Sequence, residues 1–244
     1  MFNIYVTSPD RKDGKTFLST GIAAIMQSLG YNTCFFKPVQ TSGIEINGFT
    51  QSPDITLMKS LDPYVGTHFS YLFKEKEEPL IASENDNEFI DLDLINAEYK
   101  RITENFDCTV VDGECGILSP LAPSVQNTEL IKKLQIPVLI VNKPNINTVN
   151  NTLLTIYAAQ EKGLNVRGVI INNIENDCSS VFLTSITRII EEYTNVKILG
   201  IVPNLGQNIL PEERISGLLN GIDIESIFDT KIEKLILIKD KKRK

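Results

Sequence analysis

The chain has 244 residues, 42% of them hydrophobic and 23% charged, which is enough polypeptide for one large α/β domain with a substantial core. Acidic residues outnumber basic ones, 31 to 24, and the basic surplus is confined to Lys239 through Lys244, which excludes a broad nucleic-acid face but not local phosphate pockets. Four cysteines without CxxC spacing (Cys34, Cys108, Cys115, Cys178) and a single histidine, His68, with no nucleophile or metal ligand near it in sequence argue against a zinc centre, a disulfide scaffold and a histidine-dependent triad.

The thiols are expected to be reduced and structural. No apolar stretch approaches the roughly 20 residues needed to cross a bilayer, and Met1 leads directly into a strand, so a cytoplasmic protein without membrane contact is expected.

Short β-branched or apolar runs alternate with longer amphipathic segments, the pattern of a doubly wound, mostly parallel sheet with helices on both faces. In chain order the expected elements are a strand over 3–6, a helix over 15–29, a strand over 33–36, helices over 54–60 and 92–105, a strand over 108–111, a helix over 127–134, a strand over 138–141, a helix over 149–162, a strand over 166–171, a helix over 180–193 and a strand over 197–201. Gly30, Gly163 and Asn195 follow three of the helices, where a left-handed residue is expected. The stretch 40–91, rich in Pro, Gly, Glu and Asn, fits the alternation poorly and reads as an insertion over the carboxyl ends of the strands, where α/β proteins bind ligands. Without an internal repeat or a linker, residues 1–244 form a single P-loop-like domain, with 239–244 a basic, solvated tail.

Between the first strand and first helix the sequence reads Ser8-Pro9-Asp10-Arg11-Lys12-Asp13-Gly14-Lys15-Thr16-Phe17. Gly14 lets the backbone approach phosphate oxygens, amides at the helix start donate to them, Lys15 reaches the terminal phosphates and the Thr16 hydroxyl suits Mg2+. Lys12 through Phe17 are therefore the expected phosphate contacts, with ATP as the nucleotide. Pro9 stands where the usual loop has an amide to offer. By itself the loop serves an ATP-binding switch module as well as it serves an enzyme.

Further segments share one order and spacing: Lys37-Pro38-Val39 with Thr41, Ser52-Pro53-Asp54, Glu78-Pro79-Leu80-Ile81-Ala82, Val111-Asp112-Gly113-Glu114-Cys115-Gly116 followed by Pro120-Leu121, Asn172-Asn173, and Gly200-Ile201-Val202-Pro203. From the first strand to about Leu205, the chain resembles the dethiobiotin synthetases, ATP-dependent carboxylases that close the ureido ring in biotin synthesis. It departs from their pattern at Ser8, Arg11, Lys12, Asp112 and Glu114-Cys115, where that family has Gly, Thr, Glu, Glu and Ala-Gly.

The resemblance implies a homodimer that adds CO2 to 7,8-diaminononanoate, with ATP as co-substrate and Mg2+ as cofactor. Lys37 and Lys15 then act as the catalytic cations, stabilising a carbamate and the transferring phosphoryl group. Thr16, Asp54 and Asp112 offer hard oxygen ligands to one Mg2+. Asn172, Asn173 and Pro203 contact the nucleotide base, while Thr41, the Gly113 backbone and Asn150 hold the substrate. Lys37 is expected to end the strand next to the first. A P-loop switch ATPase, or a ligase for another carboxylate, remains the alternative.

Overall fold

The alternating pattern resolves into β1 (Phe2–Thr7), α1 (Lys15–Ser28), β2 (Thr33–Gln40), a hairpin of β3 (Ile44–Ile46) and β4 (Phe49–Gln51), α2 (Pro53–Leu61), β5 (Gly66–Leu72), α3 (Pro79–Asn85) and α4 (Leu92–Asn105). The second half runs β6 (Cys108–Asp112), β7 (Pro120–Ala122), β8 (Val125–Gln126), α5 (Asn127–Leu134), β9 (Val138–Asn142), α6 (Thr148–Glu161), β10 (Val166–Ile174), α7 (Ser180–Thr194), β11 (Ile198–Pro203), α8 (Pro211–Gly221) and α9 (Ile224–Phe228). The computed structural model describes residues 1–175, 177–206 and 209–233, so the basic segment 239–244 lies outside the described residues.

Seven strands form one parallel sheet in the order β11-β10-β9-β1-β6-β2-β5. Every residue of β2, β6 and β9 is buried, as interior strands covered on both faces require. Successive side chains enter opposite layers. Ile4, Val6, Phe35, Val110 and Leu139 pack with α1, α2, α8 and α9 on one face, while Tyr5, Phe36, Val111 and Ile140 pack with α4 through α7 on the other. The expected left-handed residues are present, with φ of 80° at Gly30, 71° at Gly163 and 58° at Asn195.

Two expectations need correction. β6 lies between β1 and β2, so the Lys37 strand is not next to the first, and it continues past Lys37 to Gln40 by pairing with β5. The stretch 40–91 is not irregular either: it supplies a hairpin, two helices and the edge strand β5. Its contents still reach the phosphate loop, since Arg11 Nη2 donates to the Glu77 carbonyl at 2.7 Å.

The four cysteines are free, and burial pushes the Cys34 and Cys115 thiols up to about 12, which keeps them protonated and inert. His68 sits on β5 against Glu98 at 3.3 Å. No helix among the described residues is long and apolar enough to cross a membrane.

Candidate active site

The phosphate loop is built around a missing amide. Pro9 donates nothing, and the loop entry is closed by its acids: Ser8 Oγ donates to the Asp10 carbonyl at 2.5 Å, the Asp10 amide to Asp13 Oδ2 at 3.0 Å and the Lys12 amide to Asp10 Oδ1 at 3.2 Å. Gly14 follows with φ +85°, and a Cβ there would lie 2.1 Å from Asn172 Nδ2, which itself donates to the Asp13 carbonyl at 3.0 Å. A left-handed Cβ costs roughly 1–2 kcal/mol, or about tenfold in an equilibrium, before Asn172 is displaced. Gly14→Ala is therefore expected to weaken ATP binding at least tenfold by calorimetry; unchanged affinity would place the phosphates elsewhere.

Beside the loop is a cavity of about 380 Å3 lined in part by Gly14, Phe17, Asn172, Asn173, Pro203 and Leu205. With its Nδ2 spent on Asp13, Asn172 keeps a buried, unpartnered Oδ1, an acceptor suited to a ligand N–H. Phe17 is backed by the Arg214 guanidinium, 3.9 Å from the ring centroid. Arg214 Nη2 donates to Phe17 O and Thr20 Oγ1, each at 2.7 Å, and burial lowers its pKa to about 10.

The second half of the site centres on Lys37, whose side chain is 1% exposed. Its Nζ lies 2.8 Å from Asp54, 2.8 Å from Asp112 and 2.9 Å from Glu114. β2 delivers the lysine, the end of β6 delivers Asp112, and α2 delivers Asp54 from its first turn, where Ser52 caps the helix. Thr16 Oγ1 lies 3.0 Å from Asp112 Oδ2 and 3.4 Å from Asp54 Oδ2, and Ser19 Oγ donates to Asp112 Oδ1 at 2.8 Å. Thr41 Oγ1 donates to Glu114 Oε1 at 3.0 Å.

Burial alone would favour neutral forms here, lowering Lys37 and raising the acids. The three carboxylates reverse it for Lys37, whose pKa stands well above the ordinary value. Lys37 and Lys15, with hydrogen bonds from Lys37 to both acids, from Ser19 to Asp112 and from Thr41 to Glu114, hold Asp112 and Glu114 below the ordinary range. Asp54 stays raised, because burial and its acidic neighbours outweigh Lys37.

Gly113 is sterically required, since a Cβ would meet the Tyr5 ring and hydroxyl at 2.6–2.8 Å. Of the backbone expected to hold substrate, the amide donates to the Val6 carbonyl at 3.0 Å and the carbonyl lies 3.4 Å from Lys37 Nζ. Asn150 is exposed on the first turn of α6, near Asn151 Oδ1 at 3.3 Å, apart from the Lys37 cluster. Lys12 is exposed, while Asp13 and Lys15 are buried.

Several residues escaped the sequence reading. Ser19 orients Asp112, and Asn127 Nδ2 donates to the carbonyls of Glu114 and Gly116, both at 2.8 Å. Arg11 Nη2 lies 2.7 Å from Cys115 Sγ and 3.8 Å from Glu78. Ser19, one helical turn beyond Lys15 on the same face, was open to pattern reading; the long-range partners were not.

No trio of His, Cys, Asp or Glu among the described residues is arranged to chelate a metal alone. Two carboxylates and a hydroxyl converge at the phosphate loop, which fits Mg2+, an ion that keeps waters and substrate phosphates in its shell rather than a full protein cage.

A family model described as an AAA domain matches residues 3–210. Among solved structures, the MinC:MinD cell division complex of Aquifex aeolicus is similar at TM-score 0.57 and 16% identity, covering 97% of this chain and 96% of that one. A ParA family ATPase from Chlorobium tepidum is similar at TM-score 0.56 and 14% identity, covering 98% and 97%. These likenesses establish the fold. In sequence, the chain is 31% identical over 199 residues to the ATP-dependent dethiobiotin synthetase of Methanococcus vannielii, covering 82% of this chain and 92% of the relative. It is 30% identical over 232 residues to that of Bacillus subtilis subsp. natto, covering 94% and 98%. By likeness along nearly its whole length, the chain belongs to the ATP-dependent dethiobiotin synthetase family.

Proposed function

We propose that this protein is the ATP-dependent ligase that carboxylates 7,8-diaminononanoate with CO2 and closes the ring of dethiobiotin. One substrate amine attacks CO2, forming a C–N bond and releasing a proton. A carbamate oxygen then attacks the γ-phosphorus of ATP as the bond to the bridging oxygen breaks and ADP leaves. The second amine attacks the resulting carbamic-phosphoric anhydride, and phosphate departs.

The observation that carries this reading is the buried ammonium of Lys37. It lies between the phosphate loop, through Asp112 and Thr16, and the Thr41 hydroxyl, through Glu114. A cation so held neutralises charge on both the acceptor oxygen and the phosphoryl group, which is most of what phosphoryl transfer asks of a protein. Lys15 and the amides of the loop from Gly14 hold the phosphates, with Lys12 and Asp13 beside them, Asn172, Asn173, Phe17 and Pro203 hold the base, and Thr16, Asp54 and Asp112 are the residues that would hold Mg2+. When bound, Mg2+ neutralises phosphate charge.

A cleft of about 530 Å3 beside Arg11 and Cys115, with apolar walls from Ile117, Leu154 and Ala158, suits the aliphatic chain of the diamine. Asn150 serves its carboxylate end in a homodimer, and the reaction takes place in the cytoplasm.

Purified protein given the diamine, bicarbonate and MgATP is expected to form dethiobiotin, read by mass spectrometry, with phosphate released in step. Phosphate release indifferent to the diamine, with no dethiobiotin, would overturn the assignment.

A further inference from the structure

Resting on that reading, the acceptor end of the site shows a feature it does not explain. Lys37 and Thr41, the groups assigned to the carbamate, already hold a carboxylate of this chain. Glu114 Oε2 lies 2.9 Å from Lys37 Nζ and its Oε1 accepts from Thr41 Oγ1 at 3.0 Å. A carbamate presents the same pair of oxygens on a planar carbon, so Glu114 fills the place of the reacting group with a group of the same shape and charge.

We infer that Glu114 is a specificity-determining residue that keeps free small oxyanions out of the phosphoryl-acceptor position, which it occupies until a carbamate built on bound diamine displaces it. Glu114 already holds both contacts a carbamate would need there, Lys37 Nζ and Thr41 Oγ1, and two carboxylate-shaped groups cannot fill one position, so occupancy is exclusive. A tethered group competes at an effective concentration on the order of millimolar or more. Free bicarbonate or acetate at similar concentration therefore gains little, whereas a carbamate on bound substrate is itself tethered.

The displaced carboxylate has somewhere to go. Asn127 pins the Glu114 carbonyl at 2.8 Å, so only the side chain turns. The Arg11 guanidinium, held 2.7 Å from the sulfur of the next residue, is near enough for its charge to be felt by Glu114. Asp54 and Asp112 are the residues that would hold Mg2+, which would leave Glu114 as the carboxylate on Lys37.

Acetate binding to the full chain in MgADP, followed by calorimetry, tests this without turnover. Glu114→Ala is expected to bind acetate at least tenfold tighter than the unaltered protein, and Glu114→Gln, which keeps the shape but loses the charge, to gain less. Adding Thr41→Val to Glu114→Ala is expected to erase the gain. With bicarbonate and MgATP but no diamine, Glu114→Ala is also expected to release phosphate several-fold faster. There a bicarbonate oxygen attacks the γ-phosphorus, ADP leaves, and the carboxyphosphate takes up water to give bicarbonate and phosphate. Folded, ADP-bound Glu114→Ala and Glu114→Gln proteins that gain no acetate affinity would overturn the inference. If the unaltered protein makes no dethiobiotin, the proposed reaction fails while the acetate measurement still decides who occupies Lys37 and Thr41.

Discussion

Replacing Lys37 by alanine is expected to lower turnover by at least about a thousandfold while MgATP still binds. Removal of one preorganised donor from a developing charge costs roughly 10²–10³ in rate in enzymes of other classes, and Lys37, proposed to face both the acceptor and the phosphoryl group, is almost fully buried. Nucleotide affinity should survive, because Lys15, Thr16 and the loop amides are untouched and the freed carboxylates of Asp54 and Asp112 attract Mg2+ more strongly. The metal-free variant has three acids around an empty centre, and losing one partner of a buried ion pair costs about 3–5 kcal/mol. Its melting temperature should fall, then recover in part when MgATP is added. Lys37→Arg should not restore turnover, since a planar guanidinium cannot take the place of a compact ammonium that touches three carboxylates within 3 Å. Turnover within tenfold of the unaltered protein, or nucleotide binding lost in parallel, would remove Lys37 from its assigned role.

The interior of the fold was legible because burial on both faces leaves an unbroken apolar run. β6 and β9 match the expected segments to within one residue, and α4 and α5 match in full. At the edge the signal fades: in β5 only Tyr71 is buried, so Gly66–Leu72 has neither the continuous nor the alternating pattern. α8 was missed although Pro211 and the two glutamates after it are a helix start. Strand order is harder still. Consecutive strands usually neighbour one another, which would set the Lys37 strand beside β1, whereas β6, arriving some 70 residues later, inserts between them.

The site was legible where chemistry fixes residue type over a short span. Gly14-Lys15-Thr16 opens the first helix as expected, and Asp54 and Asp112 meet Thr16 from two other elements. Charge arrangement was not legible. Glu114 stood out only as a departure from the family's alanine, and its turn to Lys37 and Thr41 is set by three-dimensional proximity across more than 70 residues. Arg11 likewise leaves the phosphate side of its loop for Glu78, the Glu77 carbonyl and Cys115. Pro9, an apparent defect, is accommodated by the Asp10 and Asp13 hydrogen bonds.

Asp112→Asn isolates charge from shape, and it is expected to weaken Mg2+ binding and lower turnover each by at least about a hundredfold. Even outer-shell partners of a metal commonly contribute 10–100-fold to affinity or activity, and Asp112 is assigned to the inner set. The amide fits the space: its Oδ1 can face Lys37 and Thr16, while its Nδ2 donates to Ser19, which now lies 2.8 Å from Asp112 Oδ1. Lys37 keeps Asp54 and Glu114 at 2.8 and 2.9 Å, so no cation is stranded and the melting temperature should move by only a few degrees. A Mg2+ titration of turnover at saturating ATP should therefore shift its midpoint upward at unchanged fold, a pattern that a packing defect does not produce. If the midpoint stays in place while turnover falls, Asp112 acts by orienting Lys37 and the metal is held without it. If neither changes, the convergence of Asp112, Thr16 and Lys37 is structural, and the phosphoryl transfer assigned to this edge of the sheet happens elsewhere.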